Sequence, residues 1–185
     1  MVSAVGRLKV VVASALCHPL VGSTIRALAG GRVRSRGVEI GLGREVAPQT
    51  CAALFWGLYE SAEVRFVRRW IPTDLDVVEL GSSLGVVAAH VARRLRPGGR
   101  LVCVEANPSL LEPLRRNVAR NAPHVRLEVV HGAVSYPRGN GTLRFAVAAR
   151  NVDSRIAAGD AHAPAAGAVD VPSLQLGALL AERRI

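Results

Sequence analysis

The sequence predicts an α/β fold whose core is a parallel sheet with helices on both faces. Two short apolar runs, Val77–Leu80 and Leu101–Val104, have the length and composition of strands that are covered on both sides. A glycine turn over residues 81–85 leads from the first run into a helix predicted over Val86–Leu95. A Pro-Gly-Gly turn then returns the chain to the second run. These observations predict a β-α-β unit.

The predicted unit carries the features of a nucleotide-type site. Gly81 and Gly85 permit a tight turn, and the helix that follows directs its free N–H groups toward the space above the turn. Glu105 closes the second strand, where a carboxylate can accept hydrogen bonds from both hydroxyls of a ribose. We therefore expect a cofactor at the carboxyl ends of the parallel strands.

The glycine spacing and a second acid indicate which cofactor binds. A dinucleotide site requires G-x-G-x-x-G, but Gly81-Ser82-Ser83-Leu84-Gly85 lacks the middle glycine. Glu79 stands two positions before Gly81, where a carboxylate would repel a pyrophosphate and attract a cation. S-adenosyl-L-methionine carries an ammonium and a sulfonium, so it is the predicted cofactor, and an NAD enzyme is disfavoured. An ordinary α/β turn without a ligand is the alternative interpretation.

These residues also carry a family resemblance. The segments Glu79–Gly85 and Val104–Pro108 resemble the first two motifs of class I S-adenosylmethionine-dependent methyltransferases. More narrowly, the chain resembles the FkbM family over about residues 55 to 182. The further segments that match its pattern, in order, are Trp56–Glu60, Leu114–Asn121, Gly141–Phe145, Ser154–Ile156 and Val171–Leu180.

The resemblance implies a Rossmann-like class I methyltransferase sheet and O-methylation of a hydroxyl on a small molecule or sugar. It also implies that Tyr59 and Glu60 line the cofactor or substrate mouth, although Tyr59 also suits packing at a helix–sheet edge. His131 follows the third strand, where the family's loop lies against the adenine; an exposed strand-end histidine is the alternative. The predicted cofactor-binding set is Glu79, Gly81, Ser82, Ser83, Gly85, Glu105, Ala106, Tyr59, Glu60 and His131. No general base is assigned, and no metal ligand is predicted.

The family pattern continues with a fourth core strand, which has no counterpart before Ile185. We therefore expect residues 1–48 to form a helical, basic extension and residues 49–185 to form a methyltransferase domain that lacks the C-terminal half of its sheet. In the class I arrangement the fourth strand lies beside the first, so the first strand would become an apolar edge open to self-association. The alternative function is a non-catalytic remnant or interaction module that keeps the cofactor-binding half.

The positive net charge could indicate nucleic-acid binding, but the way the charges are spread along the sequence argues against it. The chain has 24 Lys and Arg against 14 Asp and Glu, a net charge of +10, and every basic residue except Lys9 is arginine. No long run of like charges and no aromatic-interleaved basic strand occurs. No nucleic-acid partner is therefore expected, and arginine-mediated binding is kept as a further alternative.

The spacing of the cysteines and the length of the apolar runs indicate the cellular compartment of the protein. The three cysteines, Cys17, Cys51 and Cys103, fit no disulfide or metal-binding spacing, which is typical of a reducing compartment. The apolar run Val10–Cys17 is too short to span a bilayer and is predicted to be an N-terminal helix. The sequence therefore predicts a cytoplasmic protein with no transmembrane segment.

Patterns elsewhere predict further elements. These are a single strand over residues 33–40, a helix over 50–70, a third core strand over 125–130, a hairpin over 137–145, a mobile low-complexity loop over 157–168, a short strand over 169–171 and a last helix over 173–180.

Overall fold

The computed structural model describes residues 11–136, 141–147, 155–156 and 168–185. The chain divides into two compact units, Met1–Ser61 and Ala62–Ile185. The domain division predicted after residue 48 stays a prediction. None of the helices in the described part of the chain is long and apolar enough to cross a membrane.

The N-terminal unit consists of two helices and a hairpin. Helix α1 (Pro19–Leu28) begins after His18, whose side chain accepts a hydrogen bond from the Leu20 N–H. Strands β1 (Arg32–Ser35) and β2 (Val38–Gly41) pair antiparallel, and helix α2 (Pro48–Phe55) follows. Residues 11–16 are also helical. A Cβ at Gly22 of α1 would collide with the Pro48 backbone, so this glycine allows α1 and α2 to approach closely.

The single strand predicted over residues 33–40 is wrong, because the chain reverses within it. Arg36 and Gly37 both have positive φ, of 47° and 99°, and they form the turn between β1 and β2. Two successive positive φ angles are typical of the tight turns that join hairpin strands. Arg36 Nε donates a hydrogen bond of 2.6 Å to the Gly57 carbonyl.

The single helix predicted over residues 50–70 is also wrong. Helix α2 ends at Phe55, and a separate helix, α3, spans Ser61–Trp70. Gly57 and Glu60 have φ angles of 64° and 45°, which a right-handed helix cannot accommodate. The interruption separates α2 from the helix that leads into the main sheet.

The main sheet of the C-terminal unit is parallel. Strands β3 (Val77–Leu80), β4 (Arg100–Glu105) and β5 (Arg126–His131) lie in the order β3-β4-β5. Helix α4 (Val86–Ala92) joins β3 to β4, and a short 3₁₀ turn with helix α5 (Leu111–Asn121) joins β4 to β5. The prediction of an α/β fold with parallel strands is confirmed. Among the described residues β3 lies at the edge of this sheet.

An apolar core covers one face of the main sheet. Leu101 and Cys103 of β4 pack there against α4 and α5, and Val67 of α3 joins the same cluster. The cluster's buried members are Val67, Ala88, Val91, Ala92, Leu95, Leu101, Cys103, Leu114, Val118 and Ala122. Helix α6 (Leu176–Arg183) contributes to the opposite face, where Arg183 pairs with Glu128 at 2.7 Å.

A second sheet was not predicted. Strands β6 (Ala133–Val134), β7 (Thr142–Ala146), β8 (Arg155–Ile156) and β9 (Ala168–Leu174) lie in the order β6-β9-β7-β8.

Two predicted bounds are wrong in this second sheet. The short strand predicted over residues 169–171 extends to Leu174, because Ser173 and Leu174 pair with β6. For the same reason α6 begins at Leu176 rather than Ser173. Residues 137–140 of the predicted hairpin and 157–167 of the predicted loop lie outside the described residues.

Candidate functional site

Three candidate side chains share one end and one face of the main sheet. Glu79 stands beside Cys103 in the β3–β4 register, and Glu105 stands beside His131 in the β4–β5 register. Because alternate residues of a strand point to the same face, Glu79, Glu105 and His131 project from the same side near the carboxyl ends of their strands. Residues separated by 52 positions in the sequence therefore meet at one edge of the fold.

The glycine loop between β3 and α4 is held by its own backbone. Gly81, Ser83 and Gly85 have φ angles of 76°, 48° and 76°. The N–H groups of Gly81 and Ser82 donate to the Val104 carbonyl at 2.8 and 3.1 Å, and the Gly85 N–H donates to the Ser82 carbonyl at 2.8 Å. Several N–H groups of the loop are thus already used within the chain.

The Glu105 carboxylate, at the end of β4, holds the glycine loop in place. Its Oε2 accepts a hydrogen bond of 2.7 Å from the Ser83 N–H, and its Oε1 accepts one of 2.7 Å from the Asn107 N–H. The residue is only 5% exposed. An ionised carboxylate has about four acceptor positions, so each oxygen keeps acceptor capacity beyond these contacts. Glu105 therefore has a structural role that the sequence did not reveal, and it retains the capacity to accept ligand hydroxyls.

Glu79 affects the ionisation of Cys103. Burial, and then the negative charge of Glu79, raise the pKa of the Cys103 thiol far above its ordinary value. A thiol that stays protonated is a poor nucleophile. Cys103 is therefore a buried structural residue. Glu79 places a negative charge beside it, near the carboxyl end of β3.

His131 and Ala106 meet at the end of the sheet. The Nε2 atom of His131 lies 3.1 Å from the Ala106 carbonyl oxygen. The adjoining Gly132 N–H donates to the Glu105 carbonyl at 3.0 Å. These contacts fix the histidine beside the loop that follows β4, and its predicted contact with an adenine stays a prediction.

Tyr59 and Glu60 belong to the N-terminal unit, whereas the other eight predicted residues belong to the C-terminal unit. Tyr59 is buried, and its N–H donates to the Ala53 carbonyl at 3.2 Å. Glu60 holds the positive φ that separates α2 from α3. Both residues thus have local structural roles, and their predicted contact with a cofactor stays a prediction.

Two asparagines complete the anchoring of the loops. Buried Asn117 of α5 donates from Nδ2 to the Leu84 carbonyl at 2.9 Å, which ties the glycine loop to α5. Asn107 accepts a hydrogen bond of 3.0 Å from the Ser109 N–H, as expected of a cap. A polar residue on the apolar side of α5, beside Leu114 and Val118, was the sequence signal for Asn117.

Several arginines are used within the C-terminal unit. Arg94 donates to the carbonyls of Ile71 and Arg68 at 3.0 and 2.8 Å. Arg100 bonds Asp76, and Arg183 bonds Glu128. These three arginines therefore contribute to the fold, and the expectation that no nucleic acid binds stays a prediction.

Among the described residues no group of His, Cys, Asp and Glu side chains is arranged to hold a metal ion. Comparisons of the chain with protein-family models, with curated proteins and with solved structures find no match.

Proposed function

We propose that this protein is an S-adenosylmethionine-dependent methyltransferase of the Rossmann-like class I type, similar to the FkbM family, that methylates a hydroxyl on a small molecule or sugar. The observation that carries the proposal is the placement of Glu79 and Glu105 at the ends of adjacent parallel strands around a glycine loop. The three free thiols are in keeping with a cytoplasmic location, which is part of the proposal.

The chemistry of the loop favours an adenosyl ligand without phosphates. A phosphate site presents several free backbone N–H groups to the anion. Here the Ser83 N–H is occupied by the Glu105 carboxylate, and the N–H groups of Gly81 and Ser82 are occupied by a carbonyl. Two carboxylates near the same loop favour a cation and neutral hydroxyls over a pyrophosphate.

The residues present suit such a ligand. Glu105 would accept ribose hydroxyls through the acceptor capacity that Ser83 and Asn107 leave. Glu79 would attract the ammonium group, and His131 with Ala106 would border the adenine. When bound, the cofactor supplies an electrophilic methyl group. The protein would contribute mainly by holding the acceptor hydroxyl in line with that group.

Calorimetric titration with S-adenosylmethionine, S-adenosylhomocysteine and NAD⁺ tests the proposal. We expect the two adenosyl ligands to bind and NAD⁺ not to bind. Glu105→Gln should weaken binding by about tenfold to a hundredfold, the loss expected for charge-assisted hydrogen bonds. Glu112→Gln is the matched control, because Glu112 lies on the exposed surface of α5 and pairs with Arg116. Absent binding, or equal losses in the two variants, would refute the cofactor assignment.

A second candidate function is a binding module without turnover. It is favoured by the position of β3, which carries Glu79 and lies at the edge of the main sheet among the described residues. The two candidates differ in product formation. A methyltransferase releases S-adenosylhomocysteine in the presence of a hydroxylated acceptor, whereas a binding module takes up the cofactor and releases none.

A further inference from the structure

Helix α3 has a buried face, formed by Val64 and Val67, and an exposed face of mixed character. The exposed face carries two aromatic and two arginine side chains, each pair four residues apart. Because side chains at this spacing lie one above the other, each pair forms a row along the helix. Phe66 and Trp70 of the aromatic row are 58% and 62% exposed. We call the side chains of these two rows the α3 surface; they are Arg65, Phe66, Arg69 and Trp70.

The arginines of the α3 surface keep their charge available to a ligand. Other arginines of the C-terminal unit pair with acids, as Arg100 does with Asp76 at 2.7 Å. Within the described parts of the chain, Arg65 and Arg69 make no such ion pair. Three arginines and one glutamate give α3 a net charge of +2. The α3 surface is therefore electropositive as well as aromatic.

Further positive charge lies at the carboxyl end of α3. Arg94 donates to the carbonyls of Arg68 and Ile71 at 2.8 and 3.0 Å, so the segment after α4 lies against the end of α3. Arg93 and Arg96 flank Arg94 in that segment, and both are exposed. Arginines from two elements of the fold therefore collect at this end of the helix.

We infer that the α3 surface binds the anionic surface of a phospholipid membrane, with α3 lying parallel to the bilayer. In this orientation the arginines reach lipid phosphates, and the aromatic rings enter the boundary between headgroups and acyl chains. The Arg69 guanidinium already lies 5.3 Å from the Trp70 ring, so one cation and one ring occupy the same depth. The cytoplasmic leaflet carries anionic lipid, in keeping with the proposed location.

The aromatic row favours a lipid surface over a nucleic acid. Arginines alone can bind the phosphates of a nucleic-acid backbone, but Phe66 and Trp70 would then remain in water. Aromatic residues that stack on unpaired bases typically lie on a sheet or along a groove, whereas these two protrude from the outside of a helix. A bilayer accepts both rows at once, because phosphates lie directly above its apolar layer.

Sedimentation of the full chain with lipid vesicles tests the inference. We expect the chain to bind vesicles of phosphatidylcholine that contain about one-third phosphatidylserine, and to bind pure phosphatidylcholine vesicles about tenfold more weakly or less. Binding to the anionic vesicles should fall as the NaCl concentration rises, because salt screens the attraction between the arginines and the lipid.

Two matched pairs of arginines locate the contact. Arg65→Gln/Arg69→Gln should lower partitioning onto anionic vesicles by about tenfold to thirtyfold, since each arginine near such a surface contributes about fivefold. Arg116→Gln/Arg120→Gln removes the same charge at the same spacing from exposed positions of α5, and it should leave partitioning nearly unchanged. A loss of equal size in both pairs would overturn the inference, because net charge alone would then explain the binding.

The aromatic row is tested in the same assay. Phe66→Ser should lower partitioning about fivefold or more, whereas Tyr136→Ser, at an 82% exposed residue outside the α3 surface, should not. Circular dichroism checks that each variant is folded. Partitioning that survives Phe66→Ser unchanged would contradict the proposed orientation of α3.

Tryptophan fluorescence reports the depth of the α3 surface. The chain has two tryptophans, so Trp56→Phe leaves Trp70 as the emitting residue. Its emission should shift to shorter wavelength when anionic vesicles are added, and bromine atoms on the acyl chains should quench it. No binding to anionic vesicles, an unshifted emission in the bound state, or binding to a double-stranded oligonucleotide or to polyglutamate in place of vesicles would overturn the inference. None of these measurements involves S-adenosylmethionine, so their outcome is independent of the proposed function.

Discussion

Gly81 and Gly85 have the same backbone conformation but differ in how closely other residues pack against them. Both have a φ angle of 76°. A Cβ at Gly81 would meet no atom within 4 Å, whereas a Cβ at Gly85 would lie 2.5 Å from the Cδ1 atom of Leu114. Leu114 is fully buried in the core. Gly81 is therefore required only by the turn, and Gly85 by the turn and by close packing against α5.

This difference predicts unequal costs for the same substitution. Gly81→Ala should lower the free energy of unfolding by about 1–2 kcal/mol, the cost of a left-handed conformation with a Cβ. Gly85→Ala should cost about 1–3 kcal/mol more, because Leu114 must leave its packed position. Urea denaturation of the two variants measures both values. Equal losses would show that α5 does not pack on the loop as described.

The candidate site could be predicted only in part from its residues. Glu79, Glu105 and the glycines were found because strand ends and glycine spacing are visible in sequence. The hydrogen bond from the Ser83 N–H to Glu105 was not predicted, because it depends on a positive φ at Ser83. Serine has no strong preference for a positive φ, so no local sequence pattern predicted this hydrogen bond.

At the scale of elements, Arg100 of β4 binds the residue that precedes β3 and the end of α6. Its Nε and Nη2 atoms donate to Asp76 Oδ2 at 2.9 and 2.7 Å, and its Nη1 donates to the Arg183 carbonyl at 2.8 Å. One guanidinium thus connects the start of β3, the start of β4 and the end of α6. The side-chain hydrogen bond from Arg100 lowers the pKa of Asp76 below its ordinary value of 3.8.

The shift in Asp76 predicts a pH dependence of stability. Because the pKa is lower in the folded state, the contribution is fully present above the unfolded value and is lost as the pH falls through the folded value. Asp76→Asn should therefore reduce the free energy of unfolding at neutral pH and flatten its decline below about pH 4. The effect should be small, since the pair is partly solvated. Asp74→Asn removes the same charge two residues earlier and should leave the acid decline steeper than Asp76→Asn does.

The elements that the sequence predicted well are those with a strong local pattern. Strand β3 was predicted with its observed bounds, and β4 and β5 within one residue, because each coincides with a short run rich in apolar and β-branched residues between turn residues. The reversal at Arg36-Gly37 was missed, because arginine is unusual at a positive φ. The extension of β9 was missed because its pairing with β6 is set by residues about forty positions away.

At the scale of the whole molecule, the C-terminal unit contains its own core. The large apolar cluster draws only on residues from Val67 onward, and a second cluster is formed by Ala106, Ala133, Phe145 and Val171. No buried member of either cluster belongs to the N-terminal unit. A core confined to one contiguous part of the chain is the physical requirement for independent folding.

We therefore expect residues 62–185 to unfold cooperatively when produced alone. Leu114→Ala should lower the free energy of unfolding by about 2–5 kcal/mol, and by the same amount in the fragment and in the full chain, because its packing partners lie within the unit. Denaturation followed by circular dichroism measures both values. A fragment without a cooperative transition, or a clearly larger loss in the full chain, would show that the core extends into the N-terminal unit.

Titration of a folded fragment with S-adenosylmethionine then separates the roles of the predicted residues. Unchanged affinity would show that residues 62–185 suffice for binding, whereas weaker binding would show that residues 1–61 contribute to it.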